Sequence, residues 1–306
     1  MMTMRSTDDL VVVGGRGAVG QFVLHELGPH FPHATAVDLR TSIGGQCSYV
    51  VADVTQPTEE ACATLRAADV IVLALPEYVA IAALPVIVPL VKRDALLVET
   101  LSVKSHFATA LRQLAPLQQA VGINPLFRPD GPLAGQSIAI VNFCSGPQTD
   151  VFRSLLARQD ARLWELDAEA HDRIMAGLQV VVHAAVLGAG LALDALGTTV
   201  DADEVVGPRP YEAIVALLRR ILSGTAEVYR EIQASNPYAE QARVALQDGI
   251  ARLQCASESA AEFDELFERL SETFGCGTQD SSAKRNGGYA GSGTSSLTRR
   301  AIVSSS

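Results

Sequence analysis

The segment "LVVVGGRGAVGQFVLHEL", from Leu10 to Leu27, is the strongest indication of the fold. It joins an apolar run to a helical pattern through a turn with the spacing Gly-x-Gly-x-x-Gly, at Gly15, Gly17 and Gly20. The first glycine permits a tight turn, the second lets the backbone approach a pyrophosphate, and the third lets the helix pack against the strand. The segment therefore predicts the first strand and helix of a dinucleotide-binding domain, with the ligand phosphates at the helix N-terminus.

An acidic residue closes the next predicted strand, and an apolar strand further on ends in "LALPEYV". A carboxylate at Asp38 accepts hydrogen bonds from a ribose diol and repels a 2′-phosphate, which favours NAD over NADP. Arg40 weakens that preference because its guanidinium can bind a 2′-phosphate. The alternative for Asp38 is an ordinary aspartate that caps a turn. The residues that we predict to contact the cofactor are Gly15, Arg16, Gly17, Ala18, Val19, Gly20, Asp38, Leu75 and Pro76.

Short apolar runs alternate with helical stretches over residues 10–145, and several of these runs lack a period of two. Continuous apolar strands between helices indicate a parallel sheet covered on both faces. From about Asp150 the remaining segments, including "DVFRSLLARQDARLWEL", have helical patterns. We therefore predict an α/β protein: a Rossmann-type, doubly wound parallel sheet in residues 1–147, an all-helical domain in 148–276 and a disordered Ser/Gly-rich tail in 277–306.

Composition excludes some partners and suggests a compartment. The net charge of −10 disfavours nucleic acid and anionic membranes. The five cysteines are far apart and no secretory leader precedes them, which predicts reduced thiols in a cytoplasm. Polar residues interrupt the apolar stretch from Ile174 to Leu196, so we predict a buried helix there rather than a membrane span. The histidines at 25, 30 and 33 lie among glycine and proline, so we predict no metal site.

Three further stretches accompany the glycine-rich turn: "ETLSVKS" from Glu99, "GINPLFRPDGP" from Gly122 and "EAHDRIMAGLQVVVHAAVLGAGLAL" from Glu169. In this order and spacing the four motifs resemble the prephenate dehydrogenase family, over residues from about 10 to 255. The resemblance implies a nucleotide-binding domain, a helical domain that forms a homodimer, and oxidative decarboxylation of a cyclohexadienyl acid with NAD or NADP. Hydroxyacid and imine reductases that combine a Rossmann domain with a helical domain share the layout. They do not explain the Ser-Val-Lys and Gly-x-Asn-Pro motifs together.

One departure from the family pattern bears on the substrate. The family's motif has a histidine where this chain has Asn124, in a segment that we interpret as a loop. A histidine can take up the proton of a ring hydroxyl, whereas an asparagine cannot act as a base, although its carbonyl oxygen can accept a hydrogen bond. An amino group on ring C4 expels hydride without a base, as in the branch of the family that converts 4-amino-4-deoxyprephenate to 4-aminophenylpyruvate for aminophenylalanine-derived natural products. We prefer that substrate. A prephenate or arogenate dehydrogenase and a non-catalytic NAD-responsive regulator are the alternatives.

The resemblance also assigns other site residues. It implies that Ser102 contacts the nicotinamide side, with capping of the next helix as the alternative. Lys104 is a candidate for binding a substrate carboxylate or a solvated helix-start residue. His171 and Gln179, eight positions apart, can share a helix face near the substrate. We therefore predict Ser102, Asn124 and His171 as catalytic, and His183 as an interior histidine with satisfied hydrogen bonds.

A second departure concerns the substrate carboxylates. The family's arginine is expected after a tyrosine, but here Glu212 follows Tyr211. The change removes a bidentate partner for a carboxylate and adds a group that attracts an amine. Arg209 or Arg219 is a candidate to replace it, Arg128 or Arg173 is a candidate to contribute, and the sequence does not choose among them. The residues that we predict to bind substrate are Lys104, Gln179, Arg209, Tyr211 and Glu212.

Overall fold

A computed structural model of the chain describes residues 9–40, 47–114, 118–197 and 207–275. The predicted tail at 277–306 lies outside the described residues. The chain divides into two compact units, Met1–Gln247 and Asp248–Ser306. The domain boundary predicted at residue 147 falls within the first unit and stays a prediction.

One eight-stranded sheet lies in the first unit, in the order β3-β2-β1-β4-β5-β6-β7-β8. All neighbouring strands are parallel except β6 and β7, which are antiparallel. The strands are β1 Asp9–Val13, β2 His33–Asp38, β3 Ser48–Val51, β4 Val70–Leu73, β5 Leu96–Glu99, β6 Gln119–Pro125, β7 Ser137–Cys144 and β8 Arg162–Leu166. The predicted, mostly parallel Rossmann-type sheet is thus confirmed.

Helices accompany the strands and follow the sheet. Those that accompany the sheet are α1 Ala18–Glu26, α2 Glu59–Ala67, α3 Glu77–Ile87, α4 Ser105–Leu114 and α5 Pro147–Arg158. Those that follow it are α6 Ala168–Met175, α7 Val182–Ala195, α8 Arg209–Leu222, α9 Ala226–Ser235, α10 Ala239–Ala256 and α11 Ala260–Thr273. A π-helical turn, Ala176–Val181, joins α6 to α7.

Both faces of the sheet are buried under apolar side chains. Val11 and Val13 belong to one buried cluster, and Leu10 and Val12 to another. This double burial explains why the strands have continuous apolar runs. The chain crosses from β3 at one side of β1 to β4 at the other, so the carboxyl end of β1 is the topological switch point where such sheets bind ligands.

Three predictions about local structure are wrong. Residues 162–166, predicted as helix, form β8 at the edge of the sheet and extend it past residue 147. Asn124, predicted in a loop, lies in β6 and pairs with Ala139. The apolar helix after Ile174, predicted to be buried, is largely exposed in the isolated chain. Only 22% of the most apolar 18-residue segment of the helical stretch Ala168–Ala195 is buried. By length and composition alone this helix passes the test for a membrane span, which is weak evidence.

Candidate active site

The carboxyl ends of β1, β2 and β4 lie side by side because Val13 pairs with both Val37 and Leu73. The glycine-rich turn follows β1. Gly14 has a φ of 83°, and a side chain on it would stand 2.1 Å from the Ala74 carbonyl oxygen. The tight turn thus depends on Gly14, which the sequence prediction missed in favour of Gly15. The adjacent glycines of "VVVGGRG" were the signal that could have found it.

Two of the other glycines match the requirements of a dinucleotide site. A Cβ on Gly20 would lie 2.1 Å from the Gly14 oxygen, so this glycine is needed for helix α1 to pack against the turn. Apart from its chain neighbours and its own helix, a Cβ on Gly17 would come no closer than 3.4 Å to a described atom, so protein packing does not explain this glycine. Gly17 also precedes α1 without any side-chain cap, which leaves the first amides of the helix to bind an anion. These features fit the pyrophosphate of a dinucleotide.

Asp38 ends β2 beside this turn. Its carboxylate accepts hydrogen bonds from the backbone N–H of Arg16 at 3.0 Å and of Arg40 at 3.3 Å. The carboxylate is therefore held at the edge of the turn, where an adenosine ribose lies in proteins with this motif. Pro76 is the residue before α3, and Leu75 lies next to Gly14, so both predicted residues border the same turn.

A second group of polar side chains is buried between β6 and α6. Asn124 Nδ2 lies 3.1 Å from His171 Nε2, and His171 Nδ1 lies 2.8 Å from Asp172 Oδ1. Because a carboxylate only accepts, His171 donates from Nδ1 and accepts from Asn124 at Nε2. Among the described residues, none hydrogen-bonds to Oδ1 of Asn124. The amide is thus oriented by the protein through its nitrogen and presents its carbonyl oxygen.

Asp172 also joins this group to helix α4. Its two carboxylate oxygens accept the backbone N–H groups of Lys104 at 2.8 Å and Ser105 at 2.9 Å, at the start of the helix. Asn236 donates to the Asp172 carbonyl at 2.8 Å. The positive end of the helix dipole stabilises the buried carboxylate. Ser102 makes no hydrogen bond to a described residue, so Asp172, rather than Ser102, caps α4.

Burial and hydrogen bonding fix the charges of this group. Burial lowers the pKa of His171, and although Asp172 opposes this effect, the imidazole is neutral near pH 7. Burial alone would raise the pKa of Asp172, but hydrogen bonds from His171, Ser105 and the backbone outweigh it and lower that pKa. The group is therefore a neutral imidazole between a carboxylate and an amide.

Lys104 is fully buried, contrary to the alternative of a solvated helix-start residue. Its ammonium donates to Glu99 Oε1 at 2.7 Å, to the Leu101 carbonyl at 2.7 Å and to the Ile123 carbonyl at 2.9 Å. Three acceptors use all three N–H donors, so no donor of Lys104 remains for a substrate carboxylate. Burial raises the pKa of Glu99 to about 7 and lowers the pKa of Lys104, while the attraction between them opposes both changes.

Further along the helix, two polar atoms are buried without a partner among the described residues: Gln179 Oε1 and His183 Nδ1. The prediction that His183 is satisfied is therefore wrong. Eight residues make slightly more than two α-helical turns, and the wider π-helical turn within Ala176–Val181 reduces this excess. Gln179 thus returns closer to the face of His171 than in a regular helix, as a shared site requires.

The predicted residues of α8 do not join this group. Arg209 and Glu212 are exposed, Tyr211 is half-buried, and none of their side chains hydrogen-bonds to a described residue. Arg128 donates to Ser223 at 2.8 Å, and Arg173 pairs with Glu169 on the same helix. None of Arg209, Arg128 and Arg173 therefore hydrogen-bonds to Asn124 or His171. Sequence reasoning missed Glu99 although its partner Lys104 is five positions away, because the sequence does not mark the pair as buried. It gave Asp172 only a local role because the amides of Lys104 and Ser105 are distant in sequence.

The geometry is that of a dinucleotide turn followed by a buried polar group at the ends of neighbouring strands. The 4-amino-4-deoxyprephenate dehydrogenase of Streptomyces pristinaespiralis is 44% identical over 268 residues, which is 87% of this chain and 90% of the relative. The chain belongs to the prephenate dehydrogenase family. A probable arogenate/prephenate dehydrogenase of Methanocaldococcus jannaschii is 24% identical over 55% of this chain and 39% of the relative.

Solved structures of the family have the same fold. The prephenate dehydrogenase of A. aeolicus, in complex with hydroxyphenyl propionate and NAD+, matches with a TM-score of 0.67 at 16% identity, over 89% of this chain and 98% of that one. The arogenate dehydrogenase of Synechocystis matches with a TM-score of 0.61 at 17% identity, over 88% of this chain and 98% of that one. No family model matches the chain. The predicted dehydrogenase family and its two-part fold are thus confirmed.

Proposed function

We propose that the chain catalyses the NAD-dependent oxidative decarboxylation of 4-amino-4-deoxyprephenate to 4-aminophenylpyruvate, for aminophenylalanine-derived secondary metabolites. The observation that carries this proposal is the amide of Asn124. Its nitrogen is held by His171, and its oxygen is the polar atom that it presents. The name of the Streptomyces relative supports the same substrate.

The chemistry of an amine suits an amide at this position. The C4–H bonding pair leaves as hydride while the nitrogen lone pair forms a C4–N double bond. The C1–carboxylate bond then breaks, its electrons enter the ring, and the pair returns to nitrogen as the ring becomes aromatic. The ammonium form loses its proton to water before this step, and the neutral amine then keeps both of its N–H groups, so no general base is required as the hydride leaves. Asn124 Oδ1 accepts one amine N–H and orients the lone pair for this step.

A hydroxyl substrate would need a different residue. Oxygen donates electrons more weakly than nitrogen, and a base that takes the hydroxyl proton compensates for this weakness. Asn124 cannot be that base, and His171 Nε2 is occupied by the Asn124 amide. Prephenate and arogenate dehydrogenation remain the second candidate, which the arogenate/prephenate relative favours.

NAD, when bound, supplies the hydride acceptor for this reaction. The residues that would hold it are those of the turn from Gly14 to Gly20, whose backbone would bind the pyrophosphate, and Asp38, whose carboxylate would bind the ribose diol. Leu75 and Pro76 would border the nicotinamide side. Ser102 lies between β5 and α4 on the same edge of the sheet and would contact the ring of the cofactor or substrate.

Gln179 on the π-helical segment would supply a polar contact for the rest of the substrate. Its amide nitrogen would donate to a substrate carboxylate, and its buried oxygen has no partner among the described residues. Glu212, Tyr211 and Arg209 on α8 are accessible, and a carboxylate at Glu212 would attract an ammonium group. We retain these residues as substrate-binding, whereas Lys104 acts inside the protein.

A second copy of the chain would cover the exposed apolar surface of α7 and the preceding π-helical turn. Leu178 and Val182, four positions apart, are 52% and 46% exposed, and Leu191, on the other side of α7 from Val182, is 73% exposed. A cluster of such side chains marks a protein–protein or membrane contact. Packing of this helix against a second copy gives a homodimer, the arrangement that the family resemblance implies. The cytoplasm is the compartment that we propose for it. Light scattering of Leu191→Glu should give a monomer, whereas a dimer of unchanged stability would contradict this proposal.

The substrate proposal is tested by mixing purified protein and NAD with 4-amino-4-deoxyprephenate, prephenate or arogenate and following NADH. The expected result is a much higher kcat/KM for the amino compound. Equal turnover of prephenate would refute the role of Asn124. Binding of NAD without NADH from any of the three compounds would refute the dehydrogenase assignment.

A further inference from the structure

The Glu99–Lys104 ion pair is a buried charged pair that the reaction described above does not use. Both side chains are fully buried, with Nζ and Oε1 2.7 Å apart. The other carboxylate oxygen of Glu99 accepts the Leu101 N–H at 2.6 Å. A buried ion pair contributes little net stability compared with apolar packing, so its presence calls for another reason.

Lys104 contacts both sides of the amide–imidazole pair. Its ammonium holds the carbonyl of Ile123, the residue before Asn124. Its backbone N–H donates to the carboxylate oxygen of Asp172 that also accepts from His171. One residue therefore determines the position of the strand that carries the amide and of the carboxylate that orients the imidazole.

Glu99 determines where the Lys104 ammonium lies. Glu99 pairs in register with Gly122 on β6, and a Cβ on Gly122 would stand 2.0 Å from Glu99 Oε1. The glycine at position 122 is thus the space that the carboxylate occupies. The ammonium has no other carboxylate partner among the described residues, so loss of the Glu99 charge leaves Lys104 buried without a counter-ion.

We infer that Glu99 is a positioning residue, which holds Asn124 against His171 through the Lys104 ammonium and the Ile123 carbonyl. This inference rests on the proposed function for the role of Asn124. It adds a residue to the site that touches neither substrate nor cofactor. Small displacements of an orienting group are sufficient to slow a reaction by about 10²-fold.

The test compares Glu99→Gln with Asp69→Asn. Asp69 forms an ion pair with Lys92, also at 2.7 Å, next to the first residue of β4 and so at the opposite edge of the same sheet. We expect Glu99→Gln to lower kcat by roughly tenfold to a hundredfold with an unchanged Kd for NAD. Asp69→Asn should change neither. If Glu99→Gln fails to fold, Glu99→Asp retains the charge on a shorter side chain and should show the same loss of kcat.

A double-mutant cycle separates positioning from general damage. In an Asn124→Ala background, Glu99→Gln should lower kcat by less than about twofold, because the amide that it positions is gone. An undiminished loss in that background would overturn the inference. If prephenate proves to be the preferred substrate, the proposed function fails, but the cycle is measured with prephenate and still decides the role of Glu99.

A readout without turnover covers the remaining case. The side-chain ¹⁵N resonances of His171 can be assigned by their loss in His171→Gln, since the chain has six histidines. Glu99→Gln should shift the Nε2 resonance, and Asp69→Asn should not. An unchanged Nε2 resonance together with an unchanged kcat would overturn the inference.

Discussion

Replacing Asn124 with histidine should change the substrate preference of the enzyme. Asn124 Nδ2 lies 3.1 Å from His171 Nε2. An imidazole at this position can donate from one ring nitrogen to His171 and keep the lone pair of the other for the substrate. It thereby restores a base at C4 and removes the amide oxygen that accepts from an amine.

The size of the change follows from these two contacts. A positioned general base contributes about 10²- to 10⁴-fold, and we expect the lower end, about 10²-fold for prephenate, because burial makes the new imidazole a weak base. Loss of one hydrogen bond to the amine should lower kcat/KM for the amino substrate by about tenfold. Multiplied together, the two effects change the ratio of kcat/KM values by about 10³-fold.

The assay is NADH formation from prephenate and from 4-amino-4-deoxyprephenate under identical conditions. Asn142→His is the matched control, because Asn142 is an exposed asparagine on the neighbouring strand β7. It should leave the ratio unchanged. If Asn124→His binds NAD normally and its ratio of kcat/KM values equals that of the wild type, residue 124 does not select the substrate.

Three further outcomes are expected. Gly17→Ala should weaken NAD binding without lowering Tm, whereas Gly20→Ala should lower both, because only the second Cβ overlaps protein atoms; equal Tm losses would contradict this distinction. Gly122→Ala forces a Cβ against Glu99 and should cost about 1–3 kcal/mol in denaturant unfolding, and a neutral result would show that the carboxylate moves freely. As the pH falls, kcat should fall in two steps: the first when Glu99 gains a proton near pH 7, and the second when His171 gains one at a pH below the usual histidine pKa of about 6.5. The Glu99→Gln variant should lose the first step, and a pH profile that keeps both steps would refute this assignment.

The sheet was predictable where apolar runs are uninterrupted, and unpredictable where tertiary contacts decide the structure. The strands around the glycine-rich turn are buried on both faces, so their sequences indicate parallel strands directly. β6 contains Gly122 and ends in Pro125, and both residue types are typical of turns. The glycine lies within a strand because the Glu99 carboxylate occupies the space beside it. β8 is an edge strand, half-exposed, and has no continuous apolar run to distinguish it from a helix.

The candidate site shows the same division. Asn124 and His171 were identified from motifs, but their contact depends on β6 and α6 meeting in space. Lys104 lies just before a helix, where a lysine is usually solvated. Its burial is possible because its ammonium donates to the carboxylate of Glu99 and to two backbone carbonyls. The π-helical turn has no sequence signature that we recognised.

The capping of α4 by Asp172 limits how this enzyme can release its product. The carboxylate belongs to the helical segment and the amides to the nucleotide-binding sheet region, so a hinge motion that separated them would expose a charged group and two unpaired N–H donors at once. Opening of the whole interface is therefore an expensive route for product release. We expect the product to leave through local movement of helices that do not carry this contact, such as α8. Substitutions that restrict the movement of α8 should then change kcat more than an increase in solvent viscosity does.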